Sequence, residues 1–416
     1  MTLKALLALV LALLTNDILS AAQTGESEPR YYSLFYNVRL MPLDHEARIS
    51  IELKQEAAFV RAIKLSIDPE RHRNFGGDGE IEKIPEGIRW LPPKDGGRLN
   101  YTFRVDHRRD NQSYDSRLTD RWALFRGDDL IPPARVRTLK GAESRAYLQL
   151  QLPAKWSAAL PYPQTTEGTY TIDHPKRRFD RPTGWMVAAE RLGILRERVA
   201  GMRVAIAGPV GQGLHRQDIL ALLRWTLPVL QNIFKTLPDR LLVVGAGDPL
   251  WRGGLSGPHS LFIHADRPLI TAKGTSPLLH EIIHTVMRAR SGRGGDWIIE
   301  GLAELYSLEL LVRSGTISHE RYTKTLAKLE QHGQGVTKLR LRSSSGAVTA
   351  RAVSILHKLD QQIREKTSDK VSLDDVLRAM AAAPRAWTTT RFQQLCERIA
   401  GIRLEAFFEQ WVPKPS

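Results

Sequence analysis

Apolar and polar residues alternate with a period of two over 31–40, 47–55, 58–67, 99–107 and 145–152. That spacing puts every second side chain on one face, so each stretch predicts a strand with one buried side. Gly, Pro and Asp clusters at 76–79 and 92–97 punctuate the run as turns, which leads us to expect an antiparallel β domain over 23–172. A Pro-rich stretch from 160 to 182 reads as the link into the next domain. Strand patterns at 202–208 and 239–247 then flank an apolar-periodic helix from about 216 to 235, and another strand pattern occupies 259–267. The glycines at 208–213 fit neither a P-loop nor a dinucleotide fingerprint, so we read them as turns. From Ser318 onward the period is helical, with Ser318 and Ser372 as N-caps and capping-box spacing from Ser372 to Asp375. The expected fold class is α+β multidomain: β domain, α/β domain at 173–315, helical domain at 316–416.

Candidate chemistry sits where the period changes. Leu279, Ile282, Ile283, Val286 and Met287 form an apolar stripe, with His280 and His284 at its edge. Residues four apart on a helix share a face, so these imidazoles can serve one metal ion. Glu281 points about 100° away from His280 around the axis, near enough to work on a metal-bound water without being a ligand. A catalytic zinc needs one more protein ligand and an open position. Glu300 is the natural third ligand, early in a further helix expected to start with Asp296 as its N-cap after the Gly-rich loop 291–295. Glu304 lies one turn on, either orienting a ligand from behind or exposed on the surface.

The pair of segments HEIIH (280–284) and WIIEGLAELY (297–306) resembles the gluzincin zinc metallopeptidases, in which Trp-x-x-Glu-Gly follows the His-Glu-x-x-His helix. The likeness is nearest to the glycyl aminopeptidase family, relatives of aminopeptidase N, over about residues 180–410; residues 359–380 resemble its later Leu-Asp-x-x-Ile-Arg signature. The resemblance implies a thermolysin-like α/β catalytic domain, one Zn2+ held by His280, His284 and Glu300, Glu281 as the general base, and a peptide or protein substrate. It also implies a Gly-rich edge strand before the zinc helix, here at 253–260, on which substrate lies as an added strand. Ser256 stands where the resemblance would place the acid that binds a substrate's amino group. No tyrosine lies between Gly346 and His357, where the family's oxyanion donor falls; Tyr306 and Tyr322 are the substitutes to test.

The remaining composition sets the address. Residues 1–22 have the order of a secretory signal peptide, a lysine at 4, an apolar run to 14 and small residues at 20–22, so we expect a secreted or periplasmic protein that is not transmembrane after processing. Cys396 is the only cysteine, which excludes an intramolecular disulfide. The net charge of +15 comes from 60 basic against 45 acidic residues. The basic residues are scattered (71–73, 108–109, 176–178) without interleaved aromatics, so no nucleic-acid partner is expected. Two other readings stay open: a degenerate zinc- and peptide-binding relative, and a basic surface-binding protein with structural zinc.

Overall fold

The computed structural model describes residues 30–165, 168–173, 179–383 and 385–412. The expected signal peptide and the basic run at 176–178 lie outside the described residues. No described helix is long and apolar enough to cross a membrane.

The alternating segments fold as strands. A six-stranded sheet runs in the order Tyr170–Ile172, Ala142–Gln151, Arg30–Met41, Glu46–Lys54, Gly96–Arg104, His72–Gly77. Its inward residues, among them Tyr36, Val38, Ile49 and Phe103, pack on Val60, Ile63, Leu65 and Trp90 of a four-stranded sheet. The buried hydroxyls in this layer find carbonyls: Tyr36 donates to Asp180 O (2.7 Å) and Tyr101 to Leu130 O (2.8 Å). One pairing corrects the antiparallel expectation, because Arg30–Met41 runs parallel to Ala142–Gln151. Alternation fixes which face is buried and says nothing about strand direction. A parallel neighbour also needs a long crossover, here the whole chain between 41 and 142.

A five-stranded sheet later in the chain carries the candidate chemistry, in the order Leu192–Val199, Met202–Pro209, Arg240–Val244, Ser260–Ile263, Gly254–Gly257. Its three central strands are parallel to one another, while the last strand is antiparallel and forms the edge. Leu242, Val244 and Phe262 cover one face against Trp122, Leu124, Trp185 and Val187 of a neighbouring sheet. Val243, Leu261 and Ile263 cover the other, against the helix Arg216–Phe234 and the motif helix Pro277–Met287. The same core continues into the helices beyond Ser318, through Leu356, Leu359, Val376, Leu377 and Phe392.

The helix starts follow the capping signals with one shift. Ser318 Oγ accepts from Arg321 N (3.2 Å), and the Ser372–Asp375 capping box is present. The second motif helix is Asp296–Arg313 and its N-cap is Gly295, so Asp296 is the first helical residue rather than the cap. Its carboxylate accepts instead from Ser344 N at 2.6 Å, a partner 48 residues away.

Candidate metal centre

The motif helix is set by its own sequence. Ser276 Oγ caps it by accepting from Leu279 N (3.3 Å), and Pro277 occupies the first turn, where its missing N–H costs nothing. Leu278, Leu279, Ile282, Ile283, Val286 and Met287 are all buried, which leaves His280 and His284 at the rim of the stripe. The two rings meet edge to face with centroids 4.7 Å apart.

Glu300 closes the group from the neighbouring helix. His280 Nε2 lies 3.0 Å from His284 Nε2 and 3.3 Å from Glu300 Oε2, and His284 Nε2 lies 3.5 Å from Glu300 Oε1. A tetrahedral zinc with bonds of about 2.0–2.1 Å would hold its ligand atoms about 3.3 Å apart. The observed spacings match that, and the nitrogen and oxygen donors are those zinc takes. Among the described residues this is the one group of three such side chains that converges. The side chains of His280, His284 and Glu300 are 15%, 14% and 29% exposed, so the site opens to solvent on one side.

The electrostatics fit a cation. Burial pushes the His280 imidazole down, but hydrogen bonds with Glu300 and Glu304 outweigh it and raise its pKa to about 10. Burial pushes Glu300 up, and the two histidines overcome this to hold its carboxylate far below the usual range. Positive charge is what this cluster stabilises. Glu304 Oε2 sits 3.0 Å from His280 Nδ1, which settles the alternatives for that residue: it fixes the ring so that Nε2 faces the cluster.

The Trp-x-x-Glu-Gly residues around Glu300 have structural work. Trp297 is fully buried and donates from Nε1 to Thr389 Oγ1 (3.1 Å), tying this helix to the C-terminal helices. Gly301 is glycine because a Cβ there would meet Ala352 Cβ at 2.7 Å and Leu356 Cδ1 at 2.8 Å. The helix Ala347–Thr367 thus packs directly behind Glu300. Gly301→Val should therefore lower stability by about 1–3 kcal/mol through overpacking. Denaturant melts would show it, and an unchanged midpoint would mean the helices separate freely here. The Leu-Asp-x-x-Ile-Arg residues are scaffold too: Asp360 accepts from Leu373 N (2.6 Å) and pairs with Arg364 (2.7 Å).

The edge strand Gly254–Gly257 lies against the motif helix. A Cβ on Gly254 would come within 2.9 Å of Glu281 Cγ, so glycine here lets the strand approach that carboxylate. Ser256 shares this face, since Gly254 and Ser256 pair with the helix-facing Ile263 and Leu261 while Leu255 pairs with Phe262. The β domain anchors the approach to this strand: Tyr114 N donates to Pro249 O and Trp251 N to Tyr114 O, both at 3.0 Å. His264 is buried and accepts at Nδ1 from Asp266 N (3.2 Å), while His259 sits in the hairpin turn with φ +52°.

Neither tyrosine is free to act as an oxyanion donor. Tyr306 is buried and donates to Asp374 Oδ1 (2.8 Å), and Tyr322 donates to Glu309. Burial first, then the neighbouring Asp374, raises the Tyr306 hydroxyl well above its ordinary pKa. No sequence signal had marked these bonds, because each partner lies on another helical turn or another helix.

No protein-family model matches the chain, and no curated protein matches it by sequence. Solved structures do. An aminopeptidase N family protein from Idiomarina loihiensis superposes with a TM-score of 0.69 at 15% identity, covering 92% of this chain and 76% of that one. An M1 zinc metallopeptidase from Deinococcus radiodurans superposes with a TM-score of 0.61 at 15% identity, covering 93% and 96%. A point mutant of that enzyme gives 0.60 over the same shares. The resemblance read from residues 280–306 thus holds across nearly the whole chain at the level of fold: this is the fold of the aminopeptidase N family and the M1 zinc metallopeptidases.

Proposed function

We propose that the protein is a zinc-dependent metallopeptidase that hydrolyses peptide bonds. The observation that carries this reading is the convergence of His280, His284 and Glu300 at zinc-like spacing beside a glutamate and an open sheet edge. His280, His284 and Glu300 would hold the ion, with Glu304 orienting His280. Zinc, when bound, supplies a Lewis acid that polarises a carbonyl and makes water more acidic. The edge strand presents unpaired backbone groups to which an extended peptide adds as a strand. Gly254 keeps that strand close to Glu281. The Glu281 carboxylate takes a proton from the attacking water and later delivers it to the leaving amine. A closed structural zinc would require a fourth protein ligand, and three side chains converge among the described residues. That favours the catalytic reading over the surface-binding one. The secreted or periplasmic address is part of the proposal and rests on residues 1–22 alone; the N-terminus of the secreted product, read by mass spectrometry, tests it.

Two departures from the resembled family shape the expected activity. Ser256 has no carboxylate to pair with a substrate ammonium, and such a charge-assisted contact contributes about 1.5–3 kcal/mol. Peptides with free and acetylated amino termini should therefore be cleaved at similar rates. With both tyrosine hydroxyls engaged elsewhere, turnover should fall by about 10²–10³ relative to a site with that donor. The deciding experiment is cleavage-site profiling on a peptide library with matched acetylated members at equal zinc loading. Strict dependence on a free amine would overturn the Ser256 argument, and no cleavage at all would leave the degenerate relative as the better reading.

A further inference from the structure

The outward face of the six-stranded sheet carries two rows made almost wholly of amide, hydroxyl and guanidinium side chains. Gln149, Asn37, Ser50 and Asn100 lie side by side across four strands, in the register Gln149↔Asn37↔Ser50↔Asn100. The next row on the same face, two residues along each strand, is Gln151↔Arg39↔Arg48↔Thr102. Neighbouring rows of this kind form a continuous polar strip, and it lines a depression of about 360 Å³. A second depression of about 380 Å³ shares Asn37 with the first and extends it past Gln149 towards Thr165 and Thr169.

Arg39 and Arg48 are the anomaly. They face each other directly across the strand pair, an arrangement in which like charges repel. Among the described residues no carboxylate lies within 4.0 Å of either guanidinium. The acids flanking them on strand Glu46–Lys54 are already matched elsewhere: Glu46 pairs with Arg73 at 2.8 Å, and Glu52 pairs with Lys54 and Arg98 at 3.5 and 3.6 Å. The sheet thus bears a repulsion that an anion between the two arginines would relieve.

We infer that this face binds an acidic oligosaccharide lying across the strands, with its hydroxyls on the amide row and its acidic groups on Arg39 and Arg48. Amide side chains both donate and accept, which is what a sugar hydroxyl requires. Strands repeat every 4.7–4.9 Å, close to the length of one sugar unit, so the row offers one polar side chain per sugar. Guanidinium forks match carboxylate and sulfate oxygens in pairs. The surface is separate from the metal centre and does not depend on the peptidase reading.

The test is calorimetry at about 0.15 M salt, where scattered surface charge is largely screened, using oligogalacturonate as the probe. A neutral cello-oligosaccharide of equal length and a polyglutamate peptide of equal charge serve as competitors. Wild type and Glu281→Gln should bind oligogalacturonate alike. Arg39→Gln and Arg48→Gln should each weaken it by about tenfold or more, and Asn100→Ala should weaken it too. Arg135→Gln, which removes an exposed charge from the four-stranded sheet, should leave it unchanged. Removing either arginine relieves a repulsion, so the melting temperature should hold or rise while binding falls. No binding of oligogalacturonate, equal binding by the neutral sugar or by polyglutamate, or an equal loss in Arg135→Gln each overturns the inference.

Discussion

Glu281→Gln should retain the metal and lose about 10²–10⁴ in peptidase rate. The amide keeps the shape of the carboxylate, so the close approach between Gly254 and this side chain survives. What it loses is the ability to take a proton from water. Zinc content by elemental analysis and single-turnover cleavage of one peptide separate these effects. A mutant that cleaves as fast as wild type would remove Glu281 from the mechanism. A mutant that loses zinc would instead place Glu281 among the groups that hold it. Gly254→Val is the complementary change, because it pushes on Glu281 without altering any charge. It should slow cleavage in the same direction at unchanged zinc content, and a fast Gly254→Val enzyme would mean the edge strand yields freely.

Much of this arrangement was legible because it is local. His280 and His284 share a face through helical geometry alone, and the strands at 31–40, 47–55 and 99–107 follow from their own alternation. The parts that escaped depend on partners distant in sequence. The parallel pairing of Arg30–Met41 with Ala142–Gln151 is invisible to a pattern that reports only which side chains point inward. The strand Leu192–Val199 was not anticipated, because it lies largely half-exposed on the outside of its sheet and lacks a clean alternation. Asp296 looked like a cap by type and position, but Ser344 N captures its carboxylate and Gly295 takes the capping place. Glu304 could not be assigned from sequence, since its bond to His280 exists only because two helices pack at one particular offset.

His280→Ala and His284→Ala should each abolish zinc binding, whereas wild type should carry one zinc per chain. Three donors define the site, and removing one leaves two, too few to hold a catalytic zinc against water. The deletion also breaks the contacts that hold Glu300, whose carboxylate faces both imidazoles at 3.3 and 3.5 Å. Glu304→Gln is the informative contrast. It touches His280 Nδ1 and none of the cluster's inner atoms, so it should weaken zinc by about 10–100-fold without eliminating it. A graded ranking, with the histidine variants empty and Glu304→Gln merely weakened, is what a three-ligand site with one outer support requires. If both histidine variants keep full zinc in competition with a chelator, the metal sits elsewhere and the proposed chemistry goes with it. If Glu304→Gln is as empty as they are, Glu304 is itself a ligand. The ion would then have four protein donors and no open position, and the structural-zinc reading would replace the catalytic one.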